Sequence, residues 1–152
     1  MNYIRHRKNN LCVDNLSIQK LIKKYKTPFY CYSLSQIREN YFAIKNAFKA
    51  VKPTICFSVK ANSNLSILKQ LKKMGAGADV VSIGELLKAS KAGIKSNKIV
   101  FSGIGKTEDE IIEAIKKRVL LINVESESEI NLINKIAKRF SRKISIGIRL
   151  NP

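Results

Sequence analysis

The sequence predicts an α/β protein, part of a (β/α)8 TIM-type barrel containing about five parallel βα units. Three observations carry that prediction. Five apolar, β-prone runs recur from residue 55 onward: ICFSVK (55–60), GADVVS (77–82), KIVFSG (98–103), VLLINVES (119–126) and KISIGIRL (143–150). Their ends, at Lys60, Ser82, Gly103, Glu125 and Arg149, fall 21 to 24 residues apart. Between them, apolar residues recur at helical spacing, and no long crossover interrupts the rhythm. Strand, helix, strand at a short fixed period makes consecutive βαβ units and a parallel sheet. An open doubly wound sheet uses the same units, but five in a row without a crossover favour a barrel.

Residues 1–26 read as a mixed, basic N-terminal segment with a short amphipathic stretch from Ser17 to Tyr25. Thr27-Pro28 breaks it, and FYCYS (29–33) reads as a short strand. Ser35 is the expected N-cap of a helix reaching about Ala50, with Ile37, Tyr41, Ile44 and Phe48 on one face. The later helices should bury Leu65, Leu68, Leu71 and Met74; then Leu86, Leu87 and Ala89; then Ile111, Ile112 and Ile115; then Ile130, Ile133, Ile136 and Ala137. The near-continuous apolar strands suit a sheet buried on both faces.

Composition narrows the function. The chain has 152 residues and a formal net charge of +18, from 29 Lys+Arg against 11 Asp+Glu. Such a balance suits nucleic-acid binding, but the lysines are spread over solvent-facing helix positions without a recognition-helix signature. A generic basic surface is the expectation, with nucleic acid an unlikely partner. No run reaches the ~18 apolar residues of a membrane span, and the basic start leads into no signal-peptide core. Cys12, Cys31 and Cys56 lack metal-site spacing, and buried free thiols in a reducing cytoplasm are expected.

In parallel α/β folds the chemistry lies at the carboxyl ends of the strands. There the chain places Lys60, Asp79, Ser82, Glu85, Ser102, Gly103, Glu125, Ser126 and Arg149. Ser82 with Glu85, and Thr107 with Glu110, have the spacing of capping boxes. Asp79 is compatible with local pairing or with a site. GIGKT (103–107) superficially suggests a phosphate loop but lacks the glycine-x4-glycine-lysine spacing, so a tight turn is expected. Lys60 differs from the surface lysines in its apolar neighbours. A partly desolvated lysine at a barrel mouth acts as a nucleophile toward carbonyls. Spacing alone leaves open whether it does so or merely reaches water.

FSVKANSNLSILKQLKKMGAGADVVSIGEL, KIVFSGIGKTEDEI, INVESESEI and IGIRLNP, in that order, resemble the N-terminal half of the diaminopimelate decarboxylases. The resemblance runs from about Thr27 to Pro152. Alanine racemases share the lysine-alanine-asparagine core, but continue with tyrosine-glycine-histidine where this chain has Ser63-Asn64-Leu65. The resemblance implies a pyridoxal-phosphate enzyme with an alanine-racemase-like barrel, releasing carbon dioxide from meso-2,6-diaminopimelate to give L-lysine. Lys60 matches the lysine that links to the cofactor aldehyde. Asp79 and Arg149 match positions beside the cofactor, Arg149 near the ring's phenolic oxygen. Ser58 stands where alanine or proline is usual, and Ile83 where glycine is common.

The same resemblance places residues 27–152 in the N-terminal part of the barrel domain. It puts the glycine-rich phosphate loops, the acid facing the pyridine nitrogen, a stacking histidine and a C-terminal β-domain beyond residue 152. His6, the one histidine, precedes the resemblance. The expectation is a truncated barrel, inactive alone, from a cytoplasmic homodimeric enzyme. The alternatives are a non-catalytic remnant and a basic nucleic-acid-binding protein.

Overall fold

The computed structural model describes residues 3–7 and 9–150. Two compact units follow one another along the chain, dividing at Pro53–Thr54.

The first unit opens with a three-stranded antiparallel meander that the sequence did not announce: β1 (Ile4–Arg7), β2 (Asn10–Val13) and β3 (Leu16–Ser17). Its strands are two to four residues long, too short for their alternation to register as a pattern. Asn9 and Asp14, at the turns, have positive φ, a conformation these residue types tolerate. Helix α1 (Ile18–Lys24) occupies the amphipathic stretch.

Residues 29–33 carry no ladder, contrary to the predicted strand. The backbone is extended at Ser33, and Tyr30 and Tyr32 stack with centroids 6.3 Å apart, as alternate residues of an extended chain can. A strand needs a hydrogen-bonded neighbour, and none borders this segment among the described residues. Helix α2 (Leu34–Ala47) begins one residue before Ser35. Its cap is Ser33, whose Oγ accepts from the Gln36 amide at 2.9 Å and donates to Asp14 at 2.7 Å. Tyr41 is buried, whereas Ile44 and Phe48 stay largely exposed within this unit.

The second unit is the predicted repeat. Strands β4 (Cys56–Ser58), β5 (Gly77–Val80), β6 (Ile99–Phe101), β7 (Leu121–Val124) and β8 (Ile146–Ile148) form one parallel sheet in chain order. Helices α3 (Leu65–Met74), α4 (Ile83–Lys91), α5 (Glu108–Lys117) and α6 (Glu127–Arg139) connect them. A strand order that never reverses is the barrel arrangement; a doubly wound sheet reverses at a switch point. The fold is α/β, with five consecutive strands of such a barrel.

Strand alternation splits the sheet into two unlike faces. Ala78, Val80, Ile99, Phe101, Ile122 and Val124 are at most 1% exposed, packed with Leu68, Leu86, Ile111, Ile115 and Ile136 of the helices. Burying side chains of this size stabilises by roughly 1.5–3 kcal/mol each. The opposite face is mixed and half-buried, with Val100 and Leu121 among Ser58, Asp79, Ser102 and Asn123, short of the full burial expected on both sides. Leu87 also differs: it is 49% exposed, because Leu86 and Ala89 take the inward positions on α4.

Candidate functional site

The site is built from the second face of the sheet and the loops at its carboxyl edge. In the β4–β5 ladder Ser58 lies opposite Asp79. Asp79 accepts hydrogen bonds from Ser102 Oγ at 2.5 Å and Ser58 Oγ at 3.4 Å. Ser102 Oγ in turn accepts from Asn123 Nδ2 at 3.0 Å. A continuous polar row therefore crosses the strands, Ser58–Asp79–Ser102–Asn123, and ends opposite Gly147. The carboxylate is half-buried but has partners, the condition under which a polar group is tolerated inside a protein.

This layer needs small residues beside it. A Cβ at Gly77 would overlap the Lys98 carbonyl oxygen, and one at Gly147 the Asn123 carboxamide oxygen. Cys56, next to Gly77 in the ladder, has its thiol pushed above the usual range by burial and then by the Asp79 charge. Cys31 is exposed, not buried as expected, because its segment lies outside any sheet; Cys12 is buried, and all three thiols are free.

Lys60 does not close a strand. The last β4–β5 pair is Ser58 with Asp79, after which the chain enters a 3₁₀ turn over Val59–Ala61, closed by the Asn62 amide on the Val59 carbonyl at 3.1 Å. Val59 is fully buried and anchors the turn, while Lys60 is exposed. The expected desolvation is absent, because the turn carries the side chain clear of its apolar neighbours. No hydrogen bond or ion pair to Lys60 occurs among the described residues. Beyond it, Asn62 Oδ1 accepts the Asn64 amide, Asn64 caps α3, and Lys88 Nζ donates to Ser63 Oγ at 2.8 Å.

Arg149 follows β8, with its amide on the Val124 carbonyl at 3.0 Å. Its guanidinium pairs with Glu125 at 3.1 Å. Asp79 thus lies in the sheet while Lys60 and Arg149 follow two of its strands, and no hydrogen bond or ion pair joins the three to one another among the described residues.

Helix starts complete the rim. Ser82, Thr107 and Ser126 cap α4, α5 and α6, accepting the amides of Glu85, Glu110 and Glu129. Thr107 with Glu110 is the full reciprocal box. Glu85 and Glu129 instead reach one residue further back, to the amides of Val81 and Glu125. Glu110 also takes the Ile83 amide of the neighbouring helix at 3.0 Å. Its carboxyl is held below the usual value chiefly by the Thr107 amide, with the Ile83 amide and Thr107 hydroxyl adding and burial opposing.

Lys106, the lysine of GIGKT, escaped the sequence reading. Its side chain is 1% exposed. Nζ donates to the carbonyls of Gly103 at 2.7 Å and Asn123 at 2.6 Å, and to Glu129 at 2.8 Å. Every ammonium proton has an acceptor. The loop is a turn wrapped on its own lysine, with Gly103 and Gly105 at positive φ. The polar row was detectable: Ser58, Asp79, Ser102 and Asn123 recur at steps of 21 to 23 residues.

A lysine amine at the carboxyl edge of a parallel sheet, without a partner among the described residues, fits a group bearing an aldehyde. The comparison with known families agrees: the model for the pyridoxal-dependent decarboxylase, pyridoxal binding domain, matches residues 34–152. The chain belongs to this family. Within it, the diaminopimelate decarboxylase of Helicobacter pylori strain J99 is 51% identical over 134 residues, covering 88% of this chain and 33% of that protein. That of Aquifex aeolicus is 42% identical over 150 residues, covering 99% and 35%. Among solved structures, diaminopimelate decarboxylase from M. jannaschii in co-complex with L-lysine superposes with a TM-score of 0.95 at 37% identity, covering 99% of this chain and 36% of that one. The Helicobacter pylori enzyme complexed with L-lysine gives 0.86 at 48% identity, covering 90% and 34%. The chain spans about a third of the length of those relatives.

Proposed function

We propose that the chain is the aldehyde-binding part of a pyridoxal-phosphate-dependent decarboxylase that converts meso-2,6-diaminopimelate to L-lysine. One observation carries the reading: Lys60, an exposed primary amine with no partner among the described residues, stands at the carboxyl edge of β4 in a chain 51% identical to a diaminopimelate decarboxylase. The L-lysine bound to two of its structural relatives supports the product assignment.

The donor set fits the cofactor at its aldehyde end. Condensation with an aldehyde needs a free primary amine, and among the described residues no carboxylate engages Lys60 Nζ. When bound, the cofactor ring supplies a sink for the electron pair left by the departing carboxylate. The chain's own residues do the rest of what falls to this part. Lys60 Nζ would be the amine that holds the cofactor's aldehyde end and the atom at which a proton is given up or taken back. Asp79, fixed by the Ser58 and Ser102 hydroxyls, would present an oriented carboxylate at the same edge of the sheet. Arg149, held by Glu125, would offer N–H donors to an anionic oxygen of the cofactor. Preorganised groups of this kind stabilise charge without reorganising during the reaction.

Residues 27–152 are assigned to the barrel domain, supported by the family match from residue 34. The remaining cofactor contacts fall to the part of the relatives this chain does not match. Among the described residues no helix is long and apolar enough to cross a membrane. A cytoplasmic homodimer is the proposed setting, by likeness to a biosynthetic enzyme.

The test uses the whole protein at the length of its relatives. Borohydride reduction in the presence of pyridoxal phosphate should label the peptide containing Lys60, and carbon dioxide should be released from meso-diaminopimelate. Label spread evenly over many lysines, unchanged in Lys60→Ala, would sink the assignment.

A further inference from the structure

The buried ammonium of Lys106 touches none of the residues assigned to the cofactor, yet two hydrogen-bonded paths run from it to them. One path is the Asn123 carbonyl, which accepts from Nζ at 2.6 Å. The side chain of the same residue holds Ser102, and Ser102 holds Asp79. The other path is Glu129. Its Oε1 accepts from Nζ at 2.8 Å, and its Oε2 accepts the Glu125 amide at 2.8 Å. Glu125 then pairs with Arg149. A third bond, to the Gly103 carbonyl, ties the β6–α5 loop to the same nitrogen.

We infer that Lys106 is a positioning residue for the cofactor site, setting the placement of Asp79 through Asn123 and of Arg149 through Glu129 and Glu125. This rests on the reading of the chain as a pyridoxal-phosphate decarboxylase. The chemistry favours a role beyond packing. Burying an ion pair stabilises weakly, and an apolar replacement of similar volume is often neutral or better. What the pair does supply is direction. Three donors at fixed angles lock a loop, a strand end and a helix start to one point, and an apolar methionine locks none of them. Hydrogen-bond networks in a low-dielectric interior hold their members in one arrangement.

The experiment compares the whole enzyme with Lys106→Met/Glu129→Gln, which removes both charges while the glutamine oxygen can still accept the Glu125 amide. Pyridoxal phosphate itself is the probe. Its binding is titrated from the absorbance of the lysine-bound form, and folding is followed separately by thermal unfolding. At a temperature where both proteins are folded, the variant should bind the cofactor about tenfold more weakly, on the scale of one charge-assisted hydrogen bond, with kcat reduced and KM for diaminopimelate little changed. A folded variant with wild-type cofactor affinity and wild-type kcat would overturn the inference. If the double variant does not fold, Asn123→Ala alone, which cuts one path, should still weaken cofactor binding, and unchanged affinity there also overturns it. Failure of wild-type protein to bind the cofactor would refute the decarboxylase reading itself, and this inference with it.

Discussion

Asn123 and Gly147 lie opposite each other in the β7–β8 ladder, and a Cβ at 147 would overlap the Asn123 carboxamide oxygen. The absence of a side chain on β8 is what lets the polar row turn its last member toward Ser102.

Gly147→Ala should therefore destabilise the protein by about 1–3 kcal/mol, the usual consequence of overpacking. Asn123→Ala in the same molecule removes the clashing atom, so the double variant should lose less than the sum of the two singles. Urea midpoints of the four proteins of this cycle measure the coupling. Strict additivity would show that the Asn123 side chain simply swings away.

Lys60→Ala should leave stability within about 0.5 kcal/mol of wild type, as for surface changes that remove no partner, while abolishing borohydride-trapped cofactor. Unfolding curves and peptide mass mapping on the same samples separate the two effects. A large loss of stability would mean that the lysine supports the turn after β4.

Thr107→Ala should cost about 0.5–2 kcal/mol, the range for a lost helix cap, seen as a lower urea midpoint. Removing the hydroxyl takes the cap from α5 and one of the bonds that steady Glu110.

Glu110 makes stability depend on pH. Its carboxyl sits below the ordinary value of 4.5 in the folded chain. The stabilisation is therefore fully present above that value and is lost as pH falls through the lower folded one. The difference in midpoint between wild type and Glu110→Gln should be constant near neutral pH and shrink on acidification below 4.5. A gap that widens with acid would contradict the direction.

Lys106→Met alone should be far more damaging than its pairing with Glu129→Gln. The single change strands a carboxylate that is 10% exposed, and breaking a buried pair in this way costs about 3–5 kcal/mol. Restoration of the midpoint by the second substitution is the expected result.

Much of this was readable one residue at a time. Strand and helix periods are local properties, and 21 to 24 residues is the length a βα unit needs, so the five strands, the four helices between them and the capping spacings stood in the sequence. Lys60, Asp79 and Arg149 stood out as candidates because polar residues at the ends of apolar runs are conspicuous. The errors share a cause. Ser33 rather than Ser35 caps α2, residues 29–33 lack a ladder, and Leu87 faces outward, each decided by which neighbour is present rather than by the residue itself.

By itself the sequence determined the rhythm, the parallel topology and the resemblance that points to a cofactor, because those depend on side-chain types at fixed spacing along the chain. Only the tertiary structure decided who meets whom. Ser58, Asp79, Ser102 and Asn123 become one row through the register of four parallel strands. Lys106 changes from one cation among 29 Lys and Arg into a buried hub through three acceptors, two of them about 20 residues away. Lys60, placed by its sequence neighbours in an apolar setting, is lifted into the open by a single turn after Ser58. Hydrogen bonds and burial act through space, and in a parallel sheet the residues adjacent in space are separated by a whole helix in sequence.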